Sequence, residues 1–216
     1  MLYRCLIRSH CNMIVQWLRL RKTARSWTHP QTCNFGYGAT NCEAAKSGSC
    51  PSKQHMKQNE YQTQFALWAV MASQIIISAD LRSLPKTQPD CFKILLNREI
   101  LAVHQDPAAH APKVVMSKNV TSIVPHDGHN ETRLTITAQA FSRQMHDDSI
   151  ALVLMNRQDQ GTQSVRVTWA ELELDESSSC RARDLIAQKD LPDAKGSFSA
   201  TLGPHDASLV RLSCSS

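Results

Sequence analysis

The sequence predicts an α+β fold, with helices and one buried strand in its middle and an antiparallel β-sandwich in its C-terminal half. Between Glu60 and Pro107 apolar residues recur at helical spacing around a short β-branched run. Beyond Ala111 the spacing shortens to the two-residue alternation of strands.

Phe65, Trp68, Ala69 and Ala72 fall at i, i+3, i+4 and i+7, with Leu67, Val70 and Met71 on the flanks. The helix they predict has little surface to give to water. Ile75, Ile76 and Ile77 follow without alternation, as in a strand covered on both faces and running to Ala79. Pro85 and Pro89 break the next stretch, after which Phe92, Leu95, Leu96, Ile100 and Leu101 restart helical spacing. Gln74 stands at the strand entrance; if buried, its amide needs partners or costs about 1 to 3 kcal/mol. A lone strand between two helices leaves sheet edges and helix faces open, which predicts aggregation or cover by the β region.

In that β region Leu134, Ile136 and Ala138 alternate with Thr135, Thr137 and Gln139, predicting one face apolar and one polar. Ile150 to Met155 is apolar throughout and reads as a central strand, whereas Val165, Val167 and Trp169 alternate with Arg166 and Thr168. Asn156, Asp159 and Gly161 supply the reversal between them. Further strands fit Gly196 to Leu202 and Ala207 to Leu212.

The 216 residues are 42% hydrophobic and 20% charged, which excludes wholesale disorder. The net charge of +5 is uneven, because Arg4, Arg8, Arg19, Arg21, Lys22 and Arg25 all precede the first acid, Glu43. Residues 1–55 therefore form a basic leader, read either as an amphipathic targeting or membrane-surface helix or as an unstructured, misread segment. Its longest apolar run, Met13 to Leu18, contains Gln16 and is hemmed by Arg8 and Arg19, too short for a secretory signal. Cys5, Cys11, Cys33, Cys42 and Cys50 include no closely spaced pair, so no zinc site is expected; disulfides among them stay open. Only Trp17 and Trp27 interleave the charges, which argues against a nucleic-acid partner. No run is long and apolar enough for a transmembrane segment.

The stretches YQTQFALWAVMASQIIISADLR and LLNREILAVHQDP resemble the end of the catalytic (β/α)8 barrel in α-galactosidases and α-N-acetylgalactosaminidases, glycoside hydrolase family twenty-seven. MHDDSIALVLMNRQDQ, VRVTWAEL, RARDLIAQKDL and PHDASLVRLS are similar to the antiparallel β domain that follows that barrel. The resemblance implies three parts: the leader (1–55), the last βα portion of the barrel (56–110) and the β-sandwich (111–216). It also implies a parent enzyme that hydrolyses terminal α-D-galactosyl or N-acetylgalactosaminyl groups of oligosaccharides or glycoconjugates with retention, without cofactor or metal, in an extracellular or lysosomal setting. Two departures from the family pattern touch turns: Asp147-Asp148 and Pro192-Asp193 stand where glycine is usual.

Retention needs two carboxyl groups about 5 Å apart. The segments that carry the family's catalytic aspartates have no counterpart in this sequence, so no catalytic residue is assigned and the chain by itself is not expected to hydrolyse substrate. Asp80, closing the expected strand, is the one carboxylate with a barrel-face address and is a candidate substrate contact; its simpler role is to hold the strand-to-helix loop with Arg82. Asp106 is expected to cap the turn into the β region, and adjacent Asp147 and Asp148 point to opposite sides. His104, His110, His126, His129, His146 and His205 have no evident partner and are expected to be solvated. Asn119-Val120-Thr121 and Asn130-Glu131-Thr132 are N-glycosylation sequons in what reads as a polar surface connection, making Asn119 and Asn130 candidate glycan acceptors. Pairing of Cys180 with Cys214 stays open, as does the oligomeric state. The alternative function is a non-catalytic sandwich binding carbohydrate or a protein partner, for which an exposed row among Phe141, Trp169 and Phe198 would be the mark.

Overall fold

The structure, a computed structural model, describes residues 57–73, 75, 81–126 and 129–215, without the side chains of 124–131. The leader (1–55) with its cysteines, Gln74, the expected strand beyond Ile75, and Asp80 lie outside the described residues. The chain divides into two compact units, residues 1–55 with 74–89 and residues 56–73 with 90–216.

Helix α1 (Gln58–Val70) begins the second unit. The Glu60 carboxylate accepts the Lys57 backbone N–H at 2.8 Å, closing the first turn. Apolar residues around its whole circumference are buried, Phe65, Ala66, Ala69 and Val70 among them, as the dense apolar pattern requires. The helix ends one residue before Met71, so Ala72, expected to continue the apolar face, is exposed. Its φ of 47° and a Ser73 N–H to Trp68 carbonyl bond of 3.0 Å form a left-handed terminus, a conformation that costs alanine energy. The described part of the first unit holds the short helix α2 (Leu84–Thr87), with Pro85 in its first turn.

The single helix suggested by Phe92 to Leu101 is two: α3 (Pro89–Leu95) and α4 (Arg98–His104). Asn97 interrupts them because its side chain caps α4, and Leu96 beside it is exposed.

Eight strands follow: β1 (Lys113–His126), β2 (His129–Gln144), β3 (Ile150–Asn156), β4 (Gln163–Thr168), β5 (Ser179–Asp184), β6 (Lys189–Lys195), β7 (Ser197–Leu202) and β8 (Ala207–Ser215). One sheet has the order β1-β2-β3-β8-β5-β6 and the other pairs β4 with β7. All pairs are antiparallel. The apolar run Ile150 to Met155 lies at the centre of the larger sheet and is buried along its length. One face of that sheet and the smaller sheet enclose Ile150, Leu152, Leu154, Val165, Val167, Phe198, Val210, Leu212 and Trp169. Trp169 is fully buried and its indole N–H donates to the Ser178 carbonyl at 2.9 Å. Helix α1 lies against β2, β3 and β8 and beside α4, so these two helices and the sandwich belong to one packed unit.

Three sequence expectations are corrected here. The sequons are not in a loop: Asn119 lies in β1 and Asn130 in β2, on a long hairpin built from the β-branched residues between Val114 and Ile136. Leu134 and Ile136 do not share a face with Ala138. The register passes from Lys118↔Ala138 to Asn119↔Ile136, leaving Thr137 as a bulge that reverses the facing of everything beyond it. Lastly, Pro192-Asp193 forms no turn but lies within β6, an edge strand, beside the register shift between Cys180 and Ala182, where a missing N–H is tolerated. The turn at Asp147-Asp148 stands, with Asp148 at φ 62°, a conformation open to aspartate.

Cys180 and Cys214 face each other across β5 and β8 and are joined by a disulfide. Cys91 in α3 is free and buried.

Candidate functional site

The polar residues of this unit concentrate where α1 and α4 meet the sandwich. Asn97 stands at the centre of one group. Its Oδ1 accepts the Glu99 and Ile100 N–H groups at 3.0 and 3.2 Å, and its Nδ2 donates to the Leu185 carbonyl at 2.8 Å. One amide thus caps a helix and holds the β5–β6 turn. Glu99, one turn on, receives both Arg183 Nε and Nη2 at 2.8 and 2.7 Å, a two-point ion pair between α4 and β5.

A second group surrounds Arg143 in β2, which is 1% exposed. Its Nη1 donates to the Ala69 and Val103 carbonyls at 3.2 and 2.9 Å, at the C-terminal ends of α1 and α4 where helix dipoles favour a cation. Nε and Nη2 have no partner among the described residues, nor do Gln64 Oε1 and Ser73 Oγ. Burial lowers the guanidinium pKa, opposed by the negative Asp106 nearby. Asp106 itself accepts the Ala108 N–H at 3.1 Å and the His146 N–H at 3.0 Å, so it caps the turn as expected and also ties it to the sandwich.

His205 corrects the expectation of solvated histidines. Its Nδ1 lies 2.8 Å from Glu60 Oε1 and its Nε2 2.7 Å from Asp159 Oδ1, while its carbonyl accepts the Thr63 hydroxyl at 3.0 Å. The ring is held between α1 and the β3–β4 turn because the β7–β8 turn, with His205 at φ 55°, passes beside the first turn of α1. His104 likewise has a partner, the Ser73 carbonyl, 2.8 Å from its Nε2.

Asn156 and Asp147 order the turns. Asn156 is fully buried and its Nδ2 donates to the carbonyls of Gly161, Leu202 and Gly203. Asp147 accepts the Ser149 hydroxyl at 2.6 Å and pairs with Arg211. Chiefly the Ser149 hydroxyl, and then Arg211, hold its carboxyl well below the usual carboxylate range.

Glu60 and Asp159 are both engaged by the His205 ring, one at each ring nitrogen. Among the described residues no group of His, Cys, Asp or Glu side chains is placed to hold a metal ion. A shallow polar depression of about 310 Å3 lies over Ser179, Arg181, Asp193 and Ser213. It has no aromatic wall, and Phe141, Trp169 and Phe198 are all buried. Asp80 lies outside the described residues. Asn119 is exposed on β1, and Asn130 pairs with Pro125 near the end of the same hairpin.

The arrangement of α1 and α4 on an antiparallel sandwich has counterparts among known proteins. The family described as "Alpha galactosidase C-terminal beta sandwich domain" matches residues 135–212, and that described as "Alpha galactosidase A" matches residues 52–106. Alpha-galactosidase 2 of Arabidopsis thaliana is 28% identical over 189 residues, which is 87% of this chain and 38% of that protein. The alpha-galactosidase of Oryza sativa subsp. japonica is 28% identical over 73% of the chain and 32% of its own length. Alpha-galactosidase I of Mortierella vinacea shares the fold with a TM-score of 0.61 at 21% identity, over 75% of this chain and 37% of that one. A GH27 β-L-arabinopyranosidase of Geobacillus stearothermophilus gives 0.60 at 23% identity, over 78% and 33%. Over these two stretches the chain is similar to α-galactosidases and to the β-sandwich domain at their C-terminal end. It spans about a third of the length of the curated relatives it matches.

The segments that carry the family resemblance are the ties just described. LNRE holds Asn97 and Glu99, RARDL holds Arg183 and Leu185, HDDS holds Asp147 and Ser149, and PHD holds His205. Sequence reasoning had singled out the stretches but not these roles. The available signal was a polar residue inside an apolar run, as at Asn97, or closing one, as at Asn156.

Proposed function

We propose that this chain is the sandwich and helical seat of an α-galactosidase-type glycoside hydrolase, one acting on terminal α-D-galactosyl groups with retention, and that it has no hydrolytic activity by itself. The observation that carries the reading is the use, as structural ties, of the motifs that resemble the family. Glu60, Glu99, Asp106, Asp147 and Asp159 are all engaged with cations, imidazole or backbone N–H groups, leaving none poised as nucleophile and acid across an open cleft. The setting fits passage through an oxidising compartment, supported by the Cys180–Cys214 disulfide. No helix among the described residues is long and apolar enough to cross a membrane. The alternative, a sandwich that binds carbohydrate, has no specific support, since the aromatic side chains it would use are in the core.

The test is release of nitrophenol from a nitrophenyl α-galactoside by the purified 216-residue chain. The expected result is no release above the uncatalysed rate. Turnover that survives repurification would overturn the assignment of a purely structural role.

A further inference from the structure

Among the described residues, the β1–β2 hairpin presents exposed apolar side chains on one face. The bulge at Thr137 sets Asn119↔Ile136, Thr121↔Leu134 and Ile123↔Thr132 side by side, and directly opposed residues of an antiparallel pair share a face. Ile123 is 69% exposed and Leu134 58%, while Ile136 is half-buried. The same 14-residue strand β1 is an edge of the six-stranded sheet, with no strand paired to its outer side among the described residues. An exposed edge beside an exposed apolar face is a template for association with other chains.

Asn119 lies on that face, two residues from Thr121 and four from Ile123, and the Asn119-Val120-Thr121 sequon is exposed. The Cys180–Cys214 disulfide is consistent with folding in an oxidising compartment, the kind in which N-glycans are attached. We infer that Asn119 carries an N-linked glycan whose sugars lie over Ile123, Leu134 and Ile136 and keep β1 from pairing with other chains. In the attachment step the Asn119 amide nitrogen replaces the diphosphate at the anomeric carbon of a lipid-diphosphate-linked oligosaccharide. The amide loses one proton and the lipid diphosphate leaves, so no oxidant or reductant is involved. The Thr121 hydroxyl supplies the acceptor recognition that the sequon encodes.

The occupant is a glycan rather than a second protein because the acceptor sits within the face: an oligosaccharide on Asn119 and a tightly packed protein partner exclude each other. Asn130, on the facing strand opposite Pro125, is a second acceptor on the same hairpin.

The experiment uses the chain purified from the cells that make it. Peptide N-glycosidase treatment in heavy-oxygen water marks each occupied asparagine as a labelled aspartate, and the stripped, still folded chain is compared with the intact one by sedimentation and apolar-dye binding. The expected result is label at Asn119, with stripping shifting the protein from single chains to larger species and raising dye fluorescence. Ile123→Thr with Leu134→Thr should return the stripped protein to single chains; both sites are exposed, so folding is not at stake. An unlabelled Asn119, whatever the state of Asn130, overturns the inference. So does a labelled Asn119 whose removal leaves sedimentation and dye binding unchanged.

Discussion

Asp147 shows how a residue beside a turn acts on stability through its proton. Its carboxylate is held by the Ser149 hydroxyl and by Arg211, and its folded pKa lies below the usual range. A depressed folded value means that the group contributes stability above its unfolded pKa, about 3.9, and loses that contribution as pH falls through the folded value. Acid titration of stability should therefore show a decline beginning near pH 4 that Asp147→Asn flattens, read from urea midpoints at a series of pH values. An unchanged slope in the variant would remove Asp147 from the account. Tyr61 works in the opposite direction: burial, first, and the nearby Cys91 and Glu60 push its phenol up to about 12. Stability is full below the unfolded value of about 10 and falls as pH rises toward the folded one. Neither residue announces its role in sequence, because both shifts come from partners brought together by folding.

At the scale of elements, the apolar patterns were legible and the interruptions were not. Ile150 to Met155 read as a central strand and is one, since a run without polar positions has no stable place except between two covered faces. Val165 and Val167 alternate with exposed neighbours as expected, and Trp169 closes the core where the strand gives way to a 3-10 turn. The helix expected across Phe92 to Leu101 failed at Asn97, whose capping role depends on the distant Leu185 carbonyl. The alternation at Leu134 failed because a bulge, invisible in a period-two pattern, reversed the strand. Asn97→Ala should cost about 2 kcal/mol, roughly 1 for the lost cap and the rest for the orphaned carbonyl. Asn97→Asp keeps the cap acceptor and loses only the donor to Leu185, so it should fall between the two in urea denaturation. Equal stability of all three proteins would show that the cap and the turn are independent of Asn97.

For the whole molecule, the resemblance to α-galactosidases was legible in motifs, while the reason for those motifs was not. Residues 56–110 read as the end of a barrel, and within that stretch α1 packs against β2, β3 and β8 and beside α4. Three separate ties hold them: Asn97 and Glu99 to the β5–β6 region, Arg143 to the ends of α1 and α4, and His205 to the start of α1. Arg143 is placed so that one buried guanidinium serves two helix termini, which couples their packing to β2. Such an arrangement predicts that α1 opens only when the sandwich unfolds. Native-state hydrogen exchange in a urea series, read by mass spectrometry on peptides covering 58–70 and 150–156, tests this directly. The account predicts that both peptides converge on one free energy and one urea dependence. Loss of protection in 58–70 at urea concentrations that leave 150–156 protected would contradict it.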